Sequence, residues 1–237
     1  MAVRVAEGIG AGDCGRVAPA GSSTAAFFDL DGTLVVGQTT LLLVRFLHRA
    51  GVVGTAFLLG TGLWFLAYRA GLVKITEESR NKSASVLRGL TPGEIEQLMG
   101  DFTEEVMMPR LHPAASAALA KHVASGDRVV VVSAALDPVV RAFCKRLHVA
   151  DYVGTPCEVE GGRYTGRLKD PVPYGDEKAK IVAGLIERWG AEPSGCWAYA
   201  DHDTDLALMR SVGHPVAVNP KPALLETAKS SGWPVLI

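Results

Sequence analysis

Apolar positions along the chain fall into two kinds of run. Residues 24–30 (Thr-Ala-Ala-Phe-Phe-Asp-Leu) and 128–132 (Arg-Val-Val-Val-Val) are short and continuous, without polar alternation. Such runs predict strands covered on both faces, as in a parallel sheet. Residues 196–200 and 215–219 repeat the pattern. Elsewhere the pattern turns helical. A long helical region covers 39–108, with starts at Thr76-Glu77-Glu78-Ser79 and Pro92-Gly93-Glu94-Ile95-Glu96. An Ala-rich helix over 113–125 is closed by Gly126, and further helices are expected over 137–147, 177–189 and 205–211. Residues 152–168 predict a strand and a hairpin turning at Glu160-Gly161-Gly162-Arg163.

Strands alternating with helices predict an α/β fold: a doubly wound parallel sheet with helices on both faces and its ligand site at the carboxyl ends of the strands. Three of the predicted strands end in Asp29, Ser133 and Asp201.

Residues 50–68 carry no charge and are flanked by Arg45, Arg49 and Arg69, which makes them a membrane-span candidate by length. Gly51, Gly54, Gly60 and Gly62 equally predict two short helices with a break near Gly60. A single crossing would put Asp29 and Asp31 across a bilayer from Ser133, Lys178 and Asp201. A helix pair buried in an inserted domain is therefore expected, with no transmembrane span. Contact with a membrane surface through this insertion, or a lipid-like substrate, is the remaining option.

Composition narrows the classes further. The chain has 237 residues, 48% of them hydrophobic, enough for a sizeable core. A net charge of −1 supplies no basic field, so no nucleic-acid partner is expected. Cys14, Cys144, Cys157 and Cys196 are scattered with no C-x-x-C pair, which predicts neither a disulfide framework nor a zinc site and fits a reducing cytoplasm. Residues 1–23, rich in Gly, Ala and Ser, read as a flexible leader with room for partial order against the body.

The candidate chemistry starts at Asp29-Leu30-Asp31-Gly32-Thr33. In extended backbone, residues two apart point the same way, so both carboxylates can face one substrate. Their repulsion favours a bound cation or a raised pKa on one of them. One acid can then serve as nucleophile and metal ligand while the other holds a proton as general acid/base. Gly32 permits a tight turn, and Thr33 offers a hydroxyl or an amide to a phosphate oxygen. Taken alone, the same string also fits a solvated turn after a strand.

The string Phe27-Phe28-Asp29-Leu30-Asp31-Gly32-Thr33-Leu34 resembles the first motif of the haloacid-dehalogenase-like (HAD) hydrolase superfamily. Three more follow in order: Ser133 after Val129-Val130-Val131-Val132, Lys178 in Gly175-Asp176-Glu177-Lys178, and Asp201-His202-Asp203-Thr204-Asp205. The resemblance runs from about Ala25 to the C-terminus. It implies a Rossmann-like core (24–38 plus 109–237) with an inserted α-helical C1-type cap (39–108), in subfamily IB, phosphoserine-phosphatase-like. It also implies a magnesium-dependent phosphatase acting on a small-molecule phosphate monoester through an aspartyl-phosphate. The implied roles are Asp29 as nucleophile, Asp31 as general acid then base, and Ser133 and Lys178 on the phosphoryl oxygens, with Thr33 and Ala134 beside them. Mg²⁺ would be held by Asp29, the Asp31 backbone carbonyl and Asp201, with Asp205 supporting the shell. Mg²⁺ prefers such oxygen ligands, and phosphoryl transfer mainly needs positioning and charge neutralisation. In isolation each residue has a plainer reading: Ser133 as a helix cap, Lys178 as a solvated first-turn lysine, the three acids after Ala200 as cap residues, His202 as exposed.

Phosphoserine itself is not the expected substrate. The position nine residues after the nucleophile, which in phosphoserine phosphatases is a Glu for the substrate amine, is the neutral Gln38. The place of the cap Arg falls on Ser83, with Arg80 and Lys82 nearby, and Ala134-Ala135 replaces the Gly-Gly after the second motif. Losing such charged hydrogen bonds costs on the order of 1.5–3 kcal/mol each. Gln38, Arg80 and Ser83 remain candidate substrate contacts. The cap is apolar, from Leu41-Leu42-Leu43-Val44 to Leu63-Trp64-Phe65, which suits a hydrophobic leaving group such as a lysophosphatidate or a prenyl phosphate. The alternatives are phosphoserine or another polar metabolite ester, a phosphotransferase, a dehalogenase, and a non-catalytic membrane-associated binding module. The expected assembly is a monomer or homodimer.

Overall fold

The computed structural model describes residues 10–11, 24–73 and 77–237. In chain order the elements are β1 (Gly10–Ala11), β2 (Ala25–Phe28), α1 (Thr39–Arg49), α2 (Thr55–Arg69), α3 (Glu77–Ala84), α4 (Pro92–Phe102), α5 (Pro113–Ser125), β3 (Arg128–Leu136), α6 (Asp137–Leu147), β4 (Asp151–Thr155), β5 (Cys157–Glu160), β6 (Arg163–Leu168), α7 (Asp176–Trp189), β7 (Trp197–Ala200), α8 (Leu206–Arg210), β8 (His214–Val218), α9 (Pro222–Ser231) and β9 (Val235–Leu236). The main sheet runs β1-β4-β3-β2-β7-β8-β9. All neighbours in it are parallel except β1, which pairs antiparallel with β4. β5 and β6 form a separate hairpin.

The continuous apolar runs become buried strands because both faces of the sheet are covered. Along β2, Ala26 and Phe28 enter a core shared with α1, α4, α5 and α6. Ala25 and Phe27 enter a second core with α7, α8 and α9. Helices on both faces make the sheet doubly wound, as the alternation of strands and helices predicts.

Among the described residues five α-helices lie between β2 and β3; α5 packs on those two strands, and α1 to α4 form the insertion. α4 starts at a capping box in which Thr91 and Glu94 bond each other's backbone amides, with Pro92 in the first turn. The two connections to the sheet run side by side, with Val35 bridged to Leu111 and the His112 amide bonded to the Leu34 carbonyl. The break expected near Gly60 lies instead at Gly51–Gly54. There Gly51 adopts φ +72°, and the amides of Gly51 and Val52 return to the His48 and Leu47 carbonyls, closing α1. α2 passes through Gly60 and Gly62, as a helix can at a cost of about 1 kcal/mol each. Among the described residues no helix is long and apolar enough to cross a membrane.

Two further differences concern the sheet. β3 does not stop at Ser133 but continues to Leu136. α9 and β9 complete the far edge, where no element was expected. The leader lies outside the described residues apart from Gly10 and Ala11, as does the expected start at Thr76. Cys144, Cys157 and Cys196 are free thiols, and Cys14 lies outside the described residues.

Candidate active site

Three adjacent parallel strands deliver the polar groups. β2 pairs with β3 and β7 on either side, Phe28 lying opposite Val131 and Tyr199. Asp29 follows Phe28 directly, its amide bonded to the Tyr199 carbonyl (2.9 Å). Asp201 follows β7, and Ser133 lies near this end of β3. All three are buried.

Lys178, in the first turn of α7, reaches the same point. Its Nζ lies 2.6 Å from Asp29 Oδ1 and 2.9 Å from Asp205 Oδ2, and the ammonium is only 3% exposed. Burial alone would lower the lysine's pKa, but the Asp205 and Asp29 carboxylates outweigh it and raise it. Burial raises Asp29 despite Lys178, and the charge of Asp205 adds to the rise. Asp201 is pushed up to about 7, first by burial and then by the Asp29 charge; Lys221 Nζ, 3.8 Å from its Oδ2, works against that.

Asp31 is held differently. Its Oδ1 accepts the Thr39 amide (2.7 Å) and its Oδ2 the Thr39 hydroxyl (3.1 Å), so the start of α1 grips the whole carboxylate. Desolvation pushes this acid up to about 7, the Thr39 bonds opposing and the Asp29 charge adding. The two acids of the D-x-D string thus occupy different surroundings, one facing Lys178 and one facing the inserted helices. Gly32 between them has φ +83°, and a Cβ there would lie 2.2 Å from Asp201 Oδ2. Only glycine lets the Asp201 carboxylate close against this turn.

Thr33 Oγ1 lies 3.3 Å from Asp29 Oδ2. The Ser133 hydroxyl accepts the Ala135 amide (3.1 Å), and exposed Ala134 turns its carbonyl to Thr155 Oγ1 (2.7 Å). Gln38 is exposed at the N-cap of α1 and makes no side-chain cap bond. Ser83 is half-buried on α3, which packs on β6. The Arg80 side chain lies outside the described residues. His202 is exposed, and its Nδ1 accepts the Thr204 amide. The structure thus gathers Asp29, Thr33, Ser133, Lys178, Asp201 and Asp205 at one sheet edge with Asp31 beside them. It sets Gln38 and Ser83 on the insertion.

Two neighbours escaped the sequence reading. Thr39 carried a signal, a Thr opening an apolar helical run eight residues after Asp31. Lys221 carried none, because only the fold sets the turn after β8 beside Asp201, whose carbonyl accepts the Lys221 amide (2.8 Å).

The donor set fits a hard cation. Asp29, Asp201 and Asp205 are buried oxygen donors, two of them bonded to the Lys178 ammonium, and burial above all raises Asp29 and Asp201. Among the described residues no three His, Cys, Asp or Glu side chains are placed to hold a metal ion together. Mg²⁺ takes only one or two carboxylates and completes its shell with water and phosphate. Asp205 is committed to Lys178 through Oδ2, and Asp31 could join only through its backbone carbonyl.

Comparison with known proteins agrees with this geometry. The model of the haloacid dehalogenase-like hydrolase family matches residues 26–210. A probable phosphatase of Mycobacterium tuberculosis is 30% identical over 90% of this chain and 75% of its own length. A histidinol-phosphatase of Neisseria meningitidis is 29% identical over 89% of this chain and 97% of its own. A Bordetella pertussis protein of unknown function superposes with a TM-score of 0.82 at 27% identity, covering 90% of this chain and 98% of that one. A phosphoserine phosphatase in apo form shares the fold, with a TM-score of 0.64 at 20% identity over 90% and 92% of the two chains. The chain belongs to the haloacid dehalogenase-like hydrolase family, on its phosphoserine-phosphatase-like branch, and is a phosphoric monoester hydrolase.

Proposed function

We propose that the chain hydrolyses a small-molecule phosphate monoester with Mg²⁺, through an aspartyl-phosphate on Asp29. The observation that carries this is the buried Lys178 ammonium bridging Asp29 and Asp205, beside a second acid, gripped by Thr39, that burial pushes up to about 7. An Asp29 oxygen attacks phosphorus and the ester P–O bond breaks. The departing alkoxide takes the proton of Asp31. Asp31, now ionised, removes a proton from water, whose oxygen attacks the phosphoryl group and frees Asp29 and inorganic phosphate. Lys178 offsets the charge of nucleophile and phosphate, and the Ser133 hydroxyl, Thr33 and the Ala134 backbone bind phosphoryl oxygens. Mg²⁺ would be held by Asp29, Asp201 and the Asp31 carbonyl, with Asp205 in support, and would supply charge neutralisation. Helices α1–α4 (39–108) act as the cap over the core formed by 24–38 and 109–237.

The substrate lacks the amine arm of phosphoserine, because exposed Gln38 offers it no carboxylate. A hydrophobic leaving group, as in a lysophospholipid or prenyl phosphate, suits the apolar cap. Likeness to a histidinol-phosphatase favours a second reading, a polar metabolite ester. Phosphate release from phosphoserine, histidinol phosphate, glycerol phosphate, lysophosphatidate and a prenyl phosphate separates the two. A hydroxylamine-sensitive phospho-enzyme that Asp29→Asn cannot form tests the intermediate. Turnover retained by Asp29→Asn would overturn the mechanism.

A further inference from the structure

α2 is only partly covered, not buried as the sequence predicts. From Thr55 to Ala67 no side chain is fully buried, although Ala56, Phe57, Leu58, Leu59, Leu63, Trp64, Phe65, Leu66 and Ala67 are all apolar. The helix rests on α1, and Phe57 and Leu58 anchor its first turn to the core. Leu59, Leu63 and Leu66, spaced to share one face, are 61%, 68% and 64% exposed, and Leu72 just beyond the helix is 78% exposed. An apolar helix that the fold leaves uncovered normally meets either a lipid phase or a partner.

Charge chooses between them. No Asp or Glu occurs from Gly32 to Thr76, whereas Arg45, Arg49, Arg69 and Lys74 do. Arg45 and Arg49 are exposed on α1, the helix that α2 packs against. With Arg110, His48 and Leu58 they border a cavity of about 400 Å³, in which Glu105 is the sole acid. A cationic rim therefore borders the first turn of α2 at Leu58. A two-fold contact on this face would bring together two copies of a segment that carries arginines and no acid. An anionic lipid surface neutralises the arginines and receives the leucines together.

We propose that α2 docks the protein on anionic membrane surfaces, lying in the interface rather than crossing it. At 15 residues the helix is about 22 Å long, short of the roughly 30 Å hydrocarbon core. Docking is separate from hydrolysis: a chain that binds vesicles without turnover would overturn the phosphatase mechanism and leave docking standing.

The test is co-sedimentation of the full chain with phosphatidylcholine vesicles, with and without phosphatidylglycerol. Binding is expected only with phosphatidylglycerol and to weaken with salt. Leu59→Gln/Leu63→Gln/Leu66→Gln should lower it at least about tenfold, and Arg45→Gln/Arg49→Gln about fivefold per arginine. Both variants should keep the parent's helical circular dichroism and melting temperature, which shows they are folded. Quenching of tryptophan fluorescence by brominated lipid, removed by Trp64→Phe, reads docking in an otherwise unaltered chain. No binding to anionic vesicles, or binding that the leucine variant retains, overturns the proposal. So does a dimer, or a complex with another protein, that the leucine variant dissociates while vesicles are ignored.

Discussion

The sheet edge and α2 invert the usual distribution of residues in opposite ways. At the edge, Asp29, Lys178, Asp201 and Asp205 are all buried, where charge is normally excluded unless paired. On α2, Leu59, Leu63 and Leu66 are exposed, although leucine normally fills cores. The buried charges are tolerated because they are held: Lys178 bonds two of the acids, and the third lies 3.8 Å from Lys221. The exposed leucines have no such local explanation within the described residues. An inversion answered inside the molecule marks chemistry done there. One left unanswered marks a surface that something else completes.

The largest expected effect breaks the first region chemically. Asp29→Asn should lower kcat by a factor on the order of 10⁴ or more, as loss of a covalent nucleophile does, with stability changed by about 1 kcal/mol or less. Steady-state phosphate release and thermal melts check both halves. Large destabilisation would mean that the buried acid is structural.

Next comes the lysine. Lys178→Met leaves Asp29 and Asp205 buried without their cation, and a loss of about 3–5 kcal/mol is expected near pH 8. Lys178 is what lowers Asp29, whose pKa burial already raises, so its removal lifts that pKa further. A carboxyl raised in the folded state favours folding below its unfolded pKa, and that contribution is lost as pH rises through the folded value. The variant's deficit should therefore be smaller at pH 5 than at pH 8. Denaturant titration of metal-free protein at both values reads this; equal deficits would show that water reaches the acids.

These residues were legible before the fold was, because the chain writes them as short apolar strands ending in acid or hydroxyl. β2 and β3 are continuous runs such as Ala25–Phe28, and the acids follow at fixed offsets. The grip of Thr39 on Asp31 was half-legible, as a helix start of no evident purpose. The Lys178–Asp205 bond spans 27 residues and joins two elements that only the sheet brings together. β9, two residues long, is too short for any period, and its pairing of Val235 with Ala217 depends on β8 being in place. The break in the insertion was misplaced because glycine marks where a helix can end. Gly51 ends the helix because it takes φ +72°, whereas Gly60 stays helical in a place where a Cβ would also fit.

Thr39 joins the site to α1, the helix on which α2 rests, so it sharpens the comparison at smaller cost. Thr39→Val keeps the amide bond to Asp31 and removes the hydroxyl bond. About 1 kcal/mol of positioning should go, a several-fold loss in kcat. That bond lowers the Asp31 pKa, so without it the pH limb of kcat/KM belonging to Asp31 should move to higher pH. An unchanged profile would separate the inserted helices from proton transfer.

The smallest expected effect is the most discriminating for α2. Leu47 on α1 is fully buried, and Leu63 on α2 is 68% exposed. Leu47→Ala should cost about 2–5 kcal/mol through lost burial and the cavity left behind. Leu63→Ala removes the same atoms from water-facing helix, where alanine is the better helix former, so the change should stay within about 0.5 kcal/mol. Urea melts of the two variants at low protein concentration measure the contrast. A cost above about 1 kcal/mol at Leu63 would mean that its face is already packed in solution. Repeating the melt across protein concentrations would then tell an intramolecular contact from a second copy, since only the latter makes stability depend on concentration.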